Sequence, residues 1–194
     1  ICVYFQLNLI LSKPIGIDKD GVITIDCPLQ QREGFKTKLD NFINQATTLK
    51  GIQSATISKS VVGDWAGYGV PLQRNRDDIE FGFDVNGGVD ENFVDVFGIK
   101  LLHGRNFQKD MPADRNAVLI SRYAAVRMGF STPQEALGAR LTLPWYGHDK
   151  VEVIGIYEDY QFQPFLLSHN QGTRGSFLSY GNHLMPDYFP SRIS

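Results

Sequence analysis

Four histidines, two cysteines and 21 acidic residues are the groups in this 194-residue chain best suited to acid–base, nucleophilic or metal chemistry. His103, His148, His169 and His183 include no pair at the i, i+4 spacing that would let one helical face hold a metal, and they read as surface residues. Cys2 and Cys27 lack CxxC spacing, are too few for a zinc site and are expected to be two buried thiols. The acidic doublets Asp77-Asp78, Asp90-Glu91 and Glu158-Asp159 would supply a general acid and base only if both members faced one cleft. Adjacent strand residues point to opposite faces, so solvated charge or helix capping is the expected use. No GxxxxGK[ST] phosphate cradle, GxGxxG turn or GxSxG nucleophile elbow occurs. The sequence therefore predicts a non-enzymatic domain with no catalytic, cofactor-binding or metal-ligating residues.

Charge and composition narrow the class further. Nineteen basic against 21 acidic residues leave a net charge of −2, which gives no support for a nucleic-acid partner. Hydrophobic residues at 42% and charged ones at 21% are those of an ordinary globular chain. Aromatic side chains gather in or beside expected loops: Trp65, Tyr68, Trp145, Tyr146, Tyr157, Tyr160, Phe162 and Phe165. Most are expected to fill the core, as strand aromatics do. Trp65, Tyr68, Trp145 and Tyr146 are the candidates for partner contact, because exposed aromatics at loop tips mark contact surfaces.

The elements that would position these residues follow from hydrophobic period and punctuation. VITID at 22–26 alternates as a short strand. Phe35, Leu39, Phe42, Ile43, Ala46 and Leu49 form one apolar stripe of a helix closed by Gly51. Ile52 to Asp64 reads as strands leading into a glycine-rich loop around Trp65. Ile79, Phe81, Phe83 and Val85 alternate as a strand that Asn86-Gly87-Gly88 should close. Asp90 is the expected N-cap of a short helix ending at Gly98, and Ser121 that of the helix RYAAVRM, stopped by Gly129. Thr132-Pro133-Gln134-Glu135 has the capping-box pattern, and Leu141 to Val153 reads as a hairpin around residues 146–149. From Ser168 onward the composition predicts loop. The opening ICVYFQLNLIL is shorter than the roughly 20 residues a bilayer span needs. On composition alone it is either the end of a cut transmembrane helix or a buried first element.

Four segments then stand in a familiar order: Glu91 to Phe107 around FGIKLLHGRNF, Ala117 to Ala125 as AVLISRYAA, Pro133 to Leu141 as PQEALGARL, and Val151 to Phe162 as VEVIGIYEDYQF. Together they resemble the extracytoplasmic core domain of MacB-type ABC transporter permeases, of the FtsX-like superfamily and the Bacteroidetes type. KPIGIDKDGVITIDCP upstream is similar to the stretch that leaves the first transmembrane helix in such permeases. The resemblance implies an α+β, mixed α/β fold in two lobes: a βα half-lobe at 13–50 beside the membrane, followed by a larger strand-rich lobe with short helices at 51–190. It implies that residues 1–12 are the end of a transmembrane helix or a linker, and that the returning half of the first lobe is missing after residue 194. Implied partners are a separate cytoplasmic ATPase subunit, the permease's own transmembrane helices, a homodimer or heterodimer mate and a periplasmic adaptor, with no cofactor in this domain. The implied location is the inner membrane, with this domain in the periplasm. Its expected role is mechanical, passing ATP-driven motion to the periplasmic side for export or release of a substrate. The alternative is an extracytoplasmic ligand-binding or sensor module that uses the aromatic loops.

Overall fold

Apolar residues at every second position, bounded by glycines and polar turns, build most of this α+β fold. The computed structural model describes residues 16–18, 20–26, 35–58, 70–74, 81–143, 148–160, 175–180 and 192–193. In chain order the elements are β1 (Ile25–Asp26), α1 (Phe35–Ala46), β2 (Ile57–Ser58), β3 (Val70–Leu72), β4 (Phe81–Val89), α2 (Phe93–Val96) and β5 (Leu101–Gly104). They continue with a 3-10 turn (Pro112–Asn116), β6 (Ala117–Ser121), α3 (Arg122–Arg127), a second 3-10 turn (Pro133–Ala136), β7 (Arg140–Leu143), β8 (His148–Tyr157), β9 (Ser176–Tyr180) and β10 (Arg192–Ile193).

Two sheets result. The smaller is antiparallel in the order β1-β10-β2, with Arg192 and Ile193 pairing to both neighbours. The larger has seven strands ordered β3-β4-β9-β6-β8-β5, and β7 shares the β5 edge of β8 by pairing with its first half. Gln73, just after β3, makes an antiparallel bridge to Thr142 in β7, with N–H to O distances of 3.0 and 2.8 Å. The large sheet therefore curls until β3 and β7 meet.

Alternation divides the core into two layers. On β6, Val118 and Ile120 face a cluster with Phe83, Phe177, Val151, Val153 and the α3 residues Ala124 and Ala125. Ala117 and Leu119 face the opposite side, with Leu178, Tyr157 and the α2 residues Phe93, Val94 and Phe97. All five β6 residues are buried, as expected of a central strand covered on both faces. Each large apolar side chain withdrawn from water in these layers contributes about 1.5–3 kcal/mol.

Along β8, Val153 and Ile156 lie on one face although they are three residues apart. The register explains it: Val118 opposes Val153 and Leu119 opposes Gly155, so Ile154 is the extra residue of a bulge. Only glycine fits beside it. A Cβ on Gly155 would lie 2.6 Å from the Arg105 carbonyl oxygen, and one on Gly104, at φ +79°, would overlap the Ile154 carbonyl.

Several local expectations are corrected. Asn86-Gly87-Gly88 does not end β4, which runs to Val89, and the register with β9 shifts there instead, with Gly88 at φ +66°. The two glycines form a bulge within a strand rather than a turn after it. β9 lies where loop was expected, buried between β4 and β6. The first strand is confined to Ile25–Asp26. Thr132 makes no side-chain cap bond, and Glu135 accepts a hydrogen bond from the Ser131 backbone N–H at 3.2 Å. The hairpin of β7 and β8 is found, although β8 already begins at His148, within the expected loop; the Ser121 cap and the glycines at 98, 129 and 138 are found as expected.

Candidate functional site

Two sets of contacts join the chain segments flanking the small sheet to the large one. The first is made by residues before β1. The Asp18 backbone N–H donates to the Phe97 carbonyl at 2.9 Å, at the end of α2. Gly98, at φ +59°, lies against the Asp18 side chain, so that a Cβ there would be 3.2 Å from the Asp18 Cβ. Gly16 packs on Asp159 and Tyr160, just after β8. That turn is itself fixed: Asp159 accepts from the Arg122 side chain at 3.0 Å and from the Tyr123 backbone N–H at 2.7 Å, at the start of α3.

The second set centres on Asp90, between β4 and α2. Its carboxylate accepts hydrogen bonds from the Thr56 hydroxyl, the Ile57 backbone N–H at 2.9 Å and the Asn92 backbone N–H at 3.1 Å. The Asp90 backbone N–H donates to the Ile57 carbonyl at 3.2 Å, and the Asn92 side-chain amide donates to the Ala55 carbonyl at 3.1 Å. Thr56 is fully buried. Burial is the largest influence on Asp90 and raises its pKa from 3.8 to about 6; the three accepted bonds oppose that rise, and the neighbouring Glu91 adds to it.

Asp90 thus does not cap α2 through its side chain, as its position before the helix suggested. Asn92 occupies the N-cap position without a side-chain bond to the helix, while the Asp90 carboxylate holds the backbone at Ile57 in β2. Sequence read Asp90 as a polar residue at a helix start. Its partners Thr56 and Ile57 are more than thirty positions away, and no local pattern marks such a pairing.

A second layer supports this junction from the large sheet. Glu91 accepts from the Tyr180 hydroxyl at 3.1 Å, and its carbonyl accepts from the Asn106 amide at 2.8 Å. Tyr180 stacks on Phe107 with ring centroids 5.2 Å apart. Its phenol is held above the usual range, first by burial and then by the Glu91 charge. The Arg105 guanidinium grips the fully buried Asp114 with both terminal nitrogens, at 2.8 and 2.6 Å. Asp114 also accepts from the Gln108 backbone N–H at 2.8 Å. Arg105 therefore has a structural role, pairing with a buried carboxylate and donating to the Asn106 carbonyl at 3.0 Å.

Neither of the two acidic doublets among the described residues presents paired carboxylates to a cleft. Asp90 faces Thr56 while Glu91 faces Tyr180; Glu158 pairs with Lys100 at 3.3 Å while Asp159 holds Arg122. Asp77-Asp78, Cys2, Cys27, His169 and His183 lie outside the described residues, as do all four partner-contact candidates, Trp65, Tyr68, Trp145 and Tyr146. His103 is exposed on β5, and His148 begins β8. Tyr157 and Tyr160 fill the core, stacked with centroids 5.6 Å apart. Among the described residues, no three His, Cys, Asp or Glu side chains gather as a metal would require, and no helix is long and apolar enough to cross a membrane.

Comparison with known proteins places this arrangement. Residues 18–186 match the family described as the MacB-like periplasmic core domain. The periplasmic region of MacB from Actinobacillus actinomycetemcomitans is similar at a TM-score of 0.56 and 18% identity, over 95% of this chain and 78% of that one. The extracellular domain of the noncanonic ABC-type transporter YknZ from Gram-positive bacteria is similar at 0.51 and 17% identity, over 88% and 80%. At these identities the two structures share the fold. No curated protein sequence matches the chain. The family match spans both the segment that docks on α2 and the large sheet, and the chain belongs to the MacB-like periplasmic core domains of ABC transporter permeases.

Proposed function

We propose that this domain is the non-enzymatic, extracytoplasmic part of an inner-membrane ABC transporter permease, and that its two sheets move relative to each other across the junction at Asp18, Asp90 and Thr56. ATP would be hydrolysed by a separate cytoplasmic subunit, and the permease's transmembrane helices would pull on the segment before β1. The large sheet would pass that motion on to a permease mate or a periplasmic adaptor, so that substrate is exported or released on the periplasmic side. The observation that carries this reading is the small set of contacts across the junction, a few hydrogen bonds and the partly buried Ile17 and Val22 packed on the large sheet's core, within a family of permease domains. A joint held by so few contacts has two accessible arrangements at modest cost, whereas an extensive apolar interface does not.

A reversible lock tests it. Cysteines replacing Asp18 and Gly98 would have Cβ atoms close to disulfide range. In the full-length permease with its ATPase, oxidation of this pair is expected to cut transport about tenfold, and reductant to restore it. Undiminished transport from fully cross-linked protein would sink the proposal.

A further inference from the structure

We infer that Met111 is a site of stereoselective oxidation by peroxides, with the Arg105 guanidinium deciding which face of its sulfur takes up the oxygen. Three features of the turn at 105–116 carry it. The Met111 thioether sulfur lies 2.9 Å from Arg105 Nη2 and accepts its hydrogen bond. The guanidinium is fixed in that place, because its two terminal nitrogens also donate to the buried Asp114 carboxylate at 2.8 and 2.6 Å, and Nη1 to the Asn106 carbonyl at 3.0 Å. The methionine is held from its own backbone: its carbonyl accepts from the Asp114 N–H at 3.0 Å, and its N–H donates to the Gln108 carbonyl at 3.2 Å. Sulfur and guanidinium are thus tied to one turn. Met111 is nevertheless partly exposed, whereas Met128, at the end of α3, is 7% exposed within the apolar core.

A thioether sulfur carries two lone pairs, one on each side of its C–S–C plane, and an N–H donor approaches along one of them. In Met111 that lone pair points at Arg105. Oxidation must therefore use the other. Its electron pair attacks one oxygen of hydrogen peroxide, the O–O bond breaks, an S–O bond forms, and the remaining oxygen leaves as water with both protons. The sulfur is oxidised by two electrons and the peroxide is reduced. A sulfoxide sulfur is chiral, so attack confined to one side leaves one epimer in excess, while a side chain free to turn gives both. The oxygen arrives on the side away from Arg105, and the pair with Asp114 is left in place. Oxidation of Met128 would instead put a polar oxygen into the core.

The test is to oxidise the folded full chain with hydrogen peroxide, digest it, and follow each methionine by mass spectrometry. Portions of the digest then receive one or the other of the two methionine sulfoxide reductases, each of which reduces a single epimer. Met111 is expected to oxidise about tenfold faster than Met128, and one reductase should remove about four-fifths of its sulfoxide. The same chain oxidised in urea should lose both distinctions, with the Met111 sulfoxide divided about equally between the two enzymes. Arg105→Lys, whose single nitrogen is drawn to Asp114, should give near-equal epimers in the folded protein. Should that variant fold poorly, the comparison of folded with urea-unfolded parent decides without it. Equal epimers from the folded parent, or a Met111 that oxidises no faster than Met128, would overturn the inference. So would an excess that survives in urea or in folded Arg105→Lys, because Arg105 would then not be its source.

Discussion

Arg105 and Asp114 form a pair whose two members stand in different surroundings, and the difference predicts unequal costs of removing either. The Asp114 side chain is fully buried, while that of Arg105 is 37% exposed. Arg105→Met would leave a buried carboxylate with the Gln108 N–H as its remaining partner, and should cost about 3–5 kcal/mol. Asp114→Asn would keep an acceptor for Gln108 and leave a guanidinium able to reach water, so about 1–3 kcal/mol is expected. Urea unfolding of the two variants checks the order. Equal losses would mean that the guanidinium is as poorly hydrated as the carboxylate. Its place after Gly104 leaves Arg105 either to pair with a carboxylate or to cap carbonyls, and it does both, donating also to the Asn106 carbonyl. That the partner would be Asp114 depends on how the 3-10 turn at 112–116 folds back, and its sequence shows only a proline start.

Capping at the level of elements shows why a motif's fate depends on what packs against it. The Ser121 hydroxyl accepts from the Ala124 N–H at 3.2 Å, as an N-cap does, and also from the Ser176 N–H of β9 at 3.0 Å. It ties α3 to the central strands from a buried position. Ser121→Ala should therefore cost about 2–3 kcal/mol, more than the typical 1 kcal/mol of a surface cap. Thr132 has the same sequence signature yet makes no cap bond, so Thr132→Ala should stay within about 0.5 kcal/mol in the same urea assay. The strands tell a similar story. β6 was legible as a short apolar run ahead of a capped helix, and β7 and β8 because alternating apolar residues act locally. β9 was not: its SFLSY holds three polar groups in five residues, which look like loop, although Ser176 and Tyr180 find partners in the fold and the Ser179 hydroxyl is buried without one. Ser176 meets the Tyr157 hydroxyl at 2.8 Å as well as the Ser121 oxygen, so tertiary contacts make a strand of it. The junction at Asp90 was hidden for the same reason, since its hydrogen bonds join distant parts of the chain.

Over the whole molecule, stability should be divided unevenly between the two sheets. The large sheet encloses two continuous apolar layers with Phe83, Phe93, Phe177, Leu119 and Ile120 almost wholly withdrawn from water. The small sheet has strands of two residues, with Ile23 77% exposed just before β1. On α1 and the turn after it the apolar stripe is incompletely covered, with Phe42 44% and Leu49 60% exposed. An element that buries little apolar area opens at low free energy, independently of the remainder. Native-state hydrogen exchange in increasing denaturant should therefore separate the chain into two tiers. Amides of α1 should exchange through partial opening, while those of β6 and β9 exchange only with global unfolding. Substitution should divide in the same way. Phe177→Ala, in the core, is expected to cost about 3–5 kcal/mol, whereas Phe42→Ser should cost less than about 1 kcal/mol and leave β6 protection unchanged. If α1 and β6 exchange merged into one isotherm, the two parts would be a single cooperative unit. A joint between them would then have to open without loosening either side.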